Sequence, residues 1–414
     1  MNKLLSANKT LDNYKIVDIV KYLAAIMVIY VHCNQGVPSE GLNYFFKQIV
    51  CRIAVPFFFI SSAYFVRRGQ AKNPDYLKNY LKGSIKSYLL WSFVFIPIGL
   101  NWLQQNFAIP RMLLPFALLF GLFHVGVYYH LWYIPAMILS LFSIDKLLKH
   151  FSYKIIFLIA IPLYLFGSLE TYYGLLPNGW LKDFFDLIIN IFFTTRSGLL
   201  FGMIFIAIGF FIYDYQEKLK AFVKYIPLLT ILFASLLIAE GMLLYQVPKL
   251  DMNFLIMLVP FSFCFFLWVL AFPKIPHFET KKIRELSKYY YFVHTVCIVI
   301  VEEITKTLHF DLLITKVINF LIILLLTHLL SLLFIKIQAR KTSGLSAVAA
   351  VILGAFITAI FSGLFYHLKP ADIIIRFEWV HCLWFFISFN IYFLLILKQR
   401  KTPVFSFAIK KLLA

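Results

Sequence analysis

Long apolar stretches recur along almost the whole chain, and few soluble folds could bury them. Of the 414 residues, 62% are hydrophobic and only 14% are charged. A soluble protein of this length could not cover so much apolar surface with polar groups, so the sequence predicts an all-α, polytopic membrane helix bundle. Twelve stretches have the length and hydropathy of spans, namely residues 16–33, 49–66, 87–103, 130–147, 155–170, 197–213, 225–245, 253–272, 289–305, 312–335, 345–366 and 379–397.

The basic residues are unevenly distributed between the two sides of these spans. The formal net charge of +20 would suit a nucleic-acid partner or a membrane protein with basic cytoplasmic loops. With the N-terminus inside, cytoplasmic segments hold 28 of the 39 Lys and Arg, and external segments hold 8. This asymmetry follows the positive-inside rule. It predicts a plasma-membrane protein with both termini in the cytoplasm and excludes nucleic acid as the partner.

Two further segments are apolar enough to attract attention but are not counted as spans. Counting residues 110–126 would place the basic loop at 146–154 outside, so this segment is predicted to be re-entrant or interfacial. Residues 171–196 contain WLKDFFDLIINIFF, which has acidic and apolar residues at helical spacing. This pattern predicts an amphipathic helix lying at the membrane surface.

The first span carries three ionisable residues, Asp18, Lys21 and His32. Charged side chains in the bilayer centre cost at least ~2.5 kcal/mol each, so they usually face a protein interior and serve a function. Lys21 and His32 are eleven residues apart, which places them on one helix face, ~16 Å apart along the axis. One helix face therefore presents a cation near its inner end and an imidazole near its outer end.

These residues carry a resemblance to a known family. The Lys21 and His32 spacing and the stretch VDIVKYLAAIMVIYVH resemble the first helix of the acyltransferase 3 superfamily, and VPFFFISSAYFVRR resembles its second. Ala63 stands where the family usually has Gly. Over residues 14 to 340, later blocks are also similar, namely HLWYIPAMI, TRSGLLFGMIFIAIGF and YYYFVHTVCI. The resemblance implies an integral membrane O-acyltransferase.

His32 is the predicted general base of that reaction. An imidazole titrates near neutral pH and can take a proton from an attacking hydroxyl, as acyl transfer to an alcohol requires. A lone His at a helix end could instead be satisfied by the interface. Lys21 could meet the substrate, snorkel to the inner surface, or form a structural ion pair with Asp18 three residues away.

Arg67 and Arg68 end the second span on the cytoplasmic side. Positive-inside topology alone would explain them. The family resemblance implies that this pair serves the use of acyl-coenzyme A, and guanidinium groups bind phosphates in bidentate fashion. Acyl-CoA, with acetyl as the expected acyl group, is therefore the predicted co-substrate. No tightly bound cofactor is expected.

Four residues are predicted on the external, acceptor side. Arg52 and Arg196 are cations near external helix ends, where topology disfavours them, so an anionic partner or an oxyanion is expected there. His130 and Trp132 lie on the same side. Trp132 could be an interfacial belt residue or a stacking surface for a sugar ring.

Other ionisable residues and the cysteines are given structural roles. His294 is predicted about one turn inside its span toward the cytoplasm, as a structural contact or a lining residue. Glu240, Glu302 and Glu303 are expected to form a solvated rim. Five cysteines occur without metal-ligand spacing, so no metal site is expected. Cys33 and Cys51 could form a disulfide, although two buried thiols are favoured.

Two domains are expected, a transmembrane domain over residues 1–341 and a C-terminal extension over 342–414. About ten core helices make up the first, and the extension adds a two-helix hairpin and a basic tail. In its first span a small residue recurs at every fourth position, a pattern that permits close helix packing, against the core or in a homodimer. These residues are Ser346, Ala350, Gly354, Thr358 and Ser362.

The sequence as a whole predicts transfer of an acyl group from cytoplasmic acyl-CoA to a hydroxyl of an extracytoplasmic cell-envelope saccharide or lipid-linked saccharide. The alternative is a transporter or flippase for an amino acid or glycolipid, without chemistry. SLETYYGLLP and CRIAVPFFFI resemble the membrane domain of membrane-bound serine racemases, which is thought to handle a small amino acid. No soluble racemase domain is expected after Lys398. Inverted repeats and paired broken helices, common in transporters, are not evident.

Overall fold

The computed structural model describes residues 14–33, 36–107, 109–272, 279–307 and 313–339. Throughout these residues the regular structure is helical, and they contain no strand. The helices are α1 (Tyr14–His32), α2 (Glu40–Gln70), α3 (Tyr76–Phe107), α4 (Leu114–Phe123), α5 (Tyr133–Leu147), α6 (Tyr153–Ser168), α7 (Trp180–Phe192), α8 (Gly198–Asp214), α9 (Gln216–Leu243), α10 (Leu258–Ala271), α11 (Lys281–Thr307) and α12 (Leu313–Ala339).

The predicted spans up to residue 335 each coincide with one of these helices. Among the described residues, three stretches are long and apolar enough to cross a membrane, namely α2, α9 and the Lys316–Lys336 part of α12. Four shorter apolar helices, α4, α6, α8 and α10, add to the apolar bundle. The chain is therefore an all-helical membrane bundle, as predicted. The predicted C-terminal extension, residues 342–414, lies outside the described residues.

Helix α2 forms the centre of the bundle. It begins with a π-helical segment, Phe45–Val50, and a 3-10 turn, Cys51–Ile53, before the regular helix Ala54–Gln70. The regular part packs closely against α8 at Gly209, where an added Cβ would come within 2.5 Å of the Ala63 methyl carbon. The missing side chain at Gly209 makes room for the Ala63 methyl group, at the position of α2 where the resemblance noted above implies glycine.

Two hydrophobic clusters hold the helices together. The larger joins α2, α5, α6, α8, α9 and α10 around aromatic residues such as Phe57, Phe205 and Phe266. The smaller joins α1, α3, α11 and α12 around Ile29 and other buried residues. Burial of this apolar surface against other helices fixes where α1 and α11 meet.

One end of the bundle is called the histidine end. Here α1 ends at His32, α2 begins near Arg52, and the segments before α8 and α10 contribute Arg196 and Asp251. The Lys47 ammonium donates a 2.7 Å hydrogen bond to the Cys33 carbonyl oxygen, which satisfies an otherwise free acceptor at the end of α1.

The opposite end is called the arginine-pair end. Arg67 and Arg68 lie in the last turn of α2. Arg67 contacts Asp214 at the end of α8. Tyr153, at the start of α6, contacts the same carboxylate. Helices α1 and α6 therefore run toward the histidine end, whereas α2 and α8 run away from it.

Helices α4 and α7 are short and do not cross the bundle. Trp102 near the end of α3 lies 6.3 Å from Tyr128, just before α5, between ring centroids. The segment between α3 and α5 therefore leaves and returns at the histidine end. Helix α4 has ten residues, about 15 Å, which is too short for a bilayer core. This agrees with the predicted re-entrant or interfacial segment, and α7 is the predicted amphipathic helix.

Candidate active site

Three histidines from distant parts of the chain meet at the histidine end. His32 is the last residue of α1, His130 lies in the 3-10 turn Tyr129–Trp132, and His294 is in the middle of α11. The His294 ring stacks on His32 with centroids 5.4 Å apart, and it meets His130 edge-on at 5.4 Å. Tyr129 packs 4.9 Å from His32. His130 and His294 are fully buried, whereas His32 is half-buried.

The hydrogen bonds of these imidazoles leave proton-accepting capacity unused. His294 Nδ1 lies 2.8 Å from the Tyr290 carbonyl oxygen, which can only accept, so Nδ1 carries the hydrogen of the neutral ring. His294 Nε2 is then an acceptor. Neither this atom nor His130 Nδ1 has a protein hydrogen-bond partner among the described residues. Buried polar atoms are usually paired, and exceptions are found at catalytic sites.

The sequence-based position of His294 was wrong. It was expected one turn inside its span on the cytoplasmic side, but α11 begins at Lys281, eight residues before the predicted span. His294 is therefore thirteen residues, or about 20 Å, along the helix. This added length brings it beside His32 at the histidine end, together with the predicted acceptor-side residue His130.

Arg52 and Arg196 converge on one buried carboxylate, that of Asp251. Arg196 Nε lies 2.8 Å from Asp251 Oδ2, and Arg52 Nη1 lies 4.0 Å from Oδ1. Arg52 also donates a 2.7 Å hydrogen bond to Asn253 and bonds to Gln48. The two cations predicted on the external side thus have an anionic partner, but it belongs to the protein itself.

A second carboxylate, Glu170, lies behind this group just after the end of α6. Its Oε2 accepts a 3.0 Å hydrogen bond from the Thr195 backbone N–H and further bonds from the hydroxyls of Thr194 and Thr195. Burial and the nearby charge of Asp251 raise the pKa of Glu170 to about 6. Burial opposes ionisation of Asp251, but its two arginines outweigh this and lower the pKa of Asp251. The network holds the chain segment that carries Arg196.

A cavity of about 530 Å³ lies near the histidines, and Tyr129, one of its lining residues, packs against His32. Tyr129, Trp132 and Arg196 line one end of it, and the Arg196 guanidinium lies 5.7 Å from the Trp132 ring centroid. The structure therefore brings the predicted residues Trp132 and Arg196 together, with His130 directly beside them. Arg52 is not part of the cavity wall.

Lys21 and Asp18 do not form the contact that the sequence suggested. The Asp18 carboxylate accepts a 2.6 Å hydrogen bond from Thr280 and lies 3.9 Å from Arg284, both near the start of α11. The Lys21 ammonium instead lies 5.1 Å from the Phe65 ring centroid. In the described part of the chain, Asp18 ties α1 to α11, and Lys21 faces α2 between the two ends of the bundle.

The two arginines at the other end differ sharply. Arg67 binds Asp214 in bidentate fashion, with Nε 2.9 Å from Oδ1 and Nη2 2.9 Å from Oδ2. The Tyr153 hydroxyl donates to the same carboxylate at 2.5 Å. Arg68 lies 4.2 Å from the Tyr14 ring centroid and forms no ion pair with another described residue. Of the two arginines, Arg67 is the one whose charge is paired with a carboxylate of the described residues.

Several residues of this network were missed or misjudged from the sequence. Glu240, expected on a solvated rim, is half-buried and accepts hydrogen bonds from the backbone N–H groups of Ile256 and Met257 just before α10. The roles of Glu170 and Asp251 were not anticipated. An ionisable residue at the very end of a predicted span, as in LYLFGSLETYY, was the available signal for Glu170.

The two cysteines near the histidine end are thiols, as favoured from the sequence. Cys33 and Cys51 are free and buried. Over the described ranges, the histidines, cysteines and carboxylates form no cluster of three placed to hold a metal ion.

Comparison with known families now decides the class of the protein. The model of the acyltransferase domain matches residues 14–336. The chain belongs to the acyltransferase 3 family. The matched region includes the described helices from α1 to most of α12, with all three histidines, the two arginines that contact Asp251 and the arginine pair. The bundle is thus that of a membrane protein of acyltransferase type.

The curated relatives carry a different name. A serine/alanine racemase of Enterococcus gallinarum is 30% identical over 329 residues, which is 77% of this chain and 45% of the relative. Two amino-acid racemases of Enterococcus faecalis are 28% and 27% identical, covering 63% and 78% of this chain. The chain spans less than half the length of these relatives, 36% and 46% for the latter two. No solved structure matches significantly.

Proposed function

We propose that the protein is a membrane O-acyltransferase that moves an acyl group, with acetyl as the simplest case, from acyl-CoA to a hydroxyl of a cell-envelope saccharide. The observation that carries this proposal is the group of three imidazoles near a large cavity, in which His130 and His294 each have a ring nitrogen without a hydrogen-bond partner among the described residues. General-base chemistry on a hydroxyl needs a neutral nitrogen with a free lone pair within reach of the substrate.

In the proposed reaction, His32 takes the proton of the acceptor hydroxyl. The resulting oxygen nucleophile attacks the thioester carbonyl, the carbon–sulfur bond breaks, and the CoA sulfur leaves with the proton from the imidazolium. The buried rings of His130 and His294 hold His32 in place through their contacts. The Arg196 guanidinium lies at the cavity end where negative charge develops on the carbonyl oxygen.

The donor is proposed to enter at the arginine-pair end, with a CoA phosphate on Arg68. Arg52 and Arg67 are fifteen residues apart on α2, about 22 Å along the axis. The pantetheine arm would therefore have to run beside α1 and α2 to bring the thioester to His32. Lys21 lies on this route, eleven residues before His32 on the same helix face.

The same proposal includes a multi-pass topology with the termini and the arginine-pair end in the cytoplasm. The Lys and Arg distribution and the opposite directions of α1 and α2 support it. Single cysteines at Asn73 and Lys281, in a Cys-free background, should resist impermeant thiol reagents on intact cells. A cysteine at Gln246 should react. Labelling at Asn73 would reverse the donor and acceptor sides.

The central test is acetyl-CoA turnover by the purified protein in nanodiscs, followed by the release of free CoA thiol. Release should require a saccharide acceptor and should be abolished in His32→Gln. Acetyl-CoA that binds but is not consumed with any envelope saccharide fraction would contradict an acyltransferase.

The names of the relatives favour a second candidate. If the membrane bundle serves amino-acid racemisation, it would bind or transport serine or alanine without acyl transfer. Uptake of labelled L-serine into proteoliposomes tests this alternative. Transport that persists in His32→Gln, without CoA release, would favour it over the acyltransferase.

A further inference from the structure

The lining of the cavity at the histidine end is apolar over most of its surface and polar at one end. It lies between the end of α3, helix α4, the end of α7 and the turn before α5. Most of its wall is hydrocarbon or aromatic, and representative residues are Trp102, Pro110, Phe116, Phe120, Val127 and Ile191. The polar groups that face it, from Tyr129, Thr194 and Arg196, belong to the segments nearest the histidines. A fully polar ligand would leave most of this wall facing its hydroxyl groups.

The polar end of the cavity is also the end with the chemistry. Tyr129 lines the cavity and packs 4.9 Å from the His32 ring. Arg196 and Trp132 lie at the same end. A single ligand could therefore place a hydroxyl-bearing head group beside His32 while its remaining part occupies the apolar region.

The apolar region is formed by elements suited to the membrane interface. Helix α4 exposes large apolar side chains, including Met112 in the preceding turn at 88% exposure and Phe123 at 75%. On α7, Trp180 is 80% exposed. Short helices with such faces bury them in lipid. Hydrocarbon can therefore reach the cavity from the bilayer without passing through water.

We propose that the cavity binds the hydrocarbon tail of the acceptor, so that the acceptor is a lipid-linked saccharide and not a free sugar. This inference rests on the proposed acyl transfer, because only that reaction makes the ligand an acceptor. Binding of a hydrocarbon tail in the cavity can be tested without the reaction. The tail is assigned to the acceptor, since the cavity lies at the histidine end and the free arginine of the donor site lies at the other.

The test uses an alkyl glucoside with a diazirine at the end of its chain, incorporated in nanodiscs of phosphatidylcholine and cross-linked to the full-length protein. Labelled peptides should come from residues 109–127 and 191–193. Unlabelled octyl glucoside should reduce this labelling at least tenfold, whereas glucose should not. Labelling spread over the lipid-facing helices, or labelling that octyl glucoside does not displace, would overturn the inference.

A second arm separates the acceptor from ordinary lipid. Phosphatidylcholine with a diazirine in its acyl chain should label the cavity peptides no more than other lipid-facing peptides. Equal labelling of the cavity by this lipid, resistant to octyl glucoside, would show that the cavity holds bilayer lipid, and the inference would fall.

Matched variants locate the site. Ala117→Trp fills the cavity, whereas Leu119→Trp changes an exposed residue of the same helix outside its lining. Ile191→Trp and Leu187→Trp form the same pair on α7. Cross-linking should fall at least tenfold in the first member of each pair and persist in the second. Equal labelling within both pairs would contradict the site, and thermal unfolding identifies a variant that has simply misfolded.

The outcomes distinguish this inference from the proposed function. Specific cross-linking without any CoA release would support the tail site and contradict the acyltransferase activity. Full acyl transfer to a free saccharide, unchanged in Ala117→Trp and Ile191→Trp, would keep the acyltransferase and remove the tail site.

Discussion

The two ends of helix α2 both place arginine beside a carboxylate, yet they use the charges differently. At the histidine end, Arg52 and Arg196 share Asp251, and the side chains of Arg52, Asp251 and Arg196 are 12%, 15% and 30% exposed. At the arginine-pair end, Arg67 and Asp214 form a bidentate pair that is 29% and 22% exposed. In the first, Arg52 and Asp251 are largely buried beside unpaired imidazole atoms, and the second is a more exposed ion pair that joins two helices.

This difference separates structural from functional charge. A buried ion pair stabilises little overall, but removing one partner is costly because a charge is left unpaired. A half-exposed pair is screened by water and is worth less. The groups proposed to act on ligands are therefore Arg68 at one end and, at the other, the neutral imidazoles together with Arg196. The variants below test this division.

The largest expected effect is at His32. His32→Ala removes the proposed proton acceptor and should reduce acyl transfer by roughly 10²–10⁴-fold. His32→Gln keeps a polar side chain but cannot act as a base at neutral pH, so it should be nearly as inactive. Acyl-CoA affinity, measured by calorimetry, should be unchanged because the donor phosphate is placed at the other end of α2. Normal transfer in His32→Gln would make the imidazole structural.

A comparison of two carboxylate variants tests the difference in burial. Asp251→Asn leaves Arg52 and Arg196 facing each other in a buried site and should lower the free energy of unfolding by about 3 kcal/mol. Asp214→Asn breaks the half-exposed pair and should cost only about 1 kcal/mol. Thermal unfolding of the detergent-solubilised variants gives both values. Equal losses would remove the distinction between the two ends.

The arginine pair should divide in its effects. Arg68→Gln removes one charge-assisted hydrogen bond to a CoA phosphate and should weaken acyl-CoA binding roughly 10- to 100-fold, with little loss of stability. Arg67→Gln should lower the unfolding temperature and change the affinity less, because Asp214 already occupies its guanidinium. Calorimetry of both variants decides this. If Arg67→Gln has the larger effect on affinity, the assignment is reversed.

The sequence predicted the helices well because hydropathy and charge bias act locally along the chain. It also predicted that residues 110–126 would not span, since a further crossing would have reversed the basic loops. Within the site it identified His32, His130 and Arg196 from residue type and position. Contacts between distant helices were beyond it. The stacking of His294 on His32 depends on how α1 packs along α11, which no periodicity encodes.

The pairing of charges was equally inaccessible for a physical reason. Asp18 lies three residues from Lys21, and helix geometry alone favours that ion pair. In the structure the Asp18 carboxylate instead accepts a hydrogen bond from the Thr280 hydroxyl, 262 positions away in the chain. Similarly, Arg67 finds Asp214 across 147 positions. Rules of helix geometry apply to residues that are close along the chain, whereas the ion pairs and hydrogen bonds of the bundle depend on which helices pack together.

The smallest expected effect is a pH dependence at the histidine end, caused by Glu170. Its pKa is raised from 4.5 to about 6 by burial and by the charge of Asp251, so the folded protein binds this proton more tightly than the unfolded chain. The stabilisation is fully present below about pH 4.5 and is lost as the pH rises through 6, up to about 2 kcal/mol. Asp251 has the opposite sign, because the stabilisation from its lowered pKa is lost only at more acidic pH.

Unfolding temperatures of the wild type should therefore fall relative to those of Glu170→Gln between pH 5 and pH 7. Asp183→Asn, which changes an exposed carboxylate of α7, should follow the wild type, and parallel profiles for Glu170→Gln and the wild type would show that Glu170 is ionised throughout.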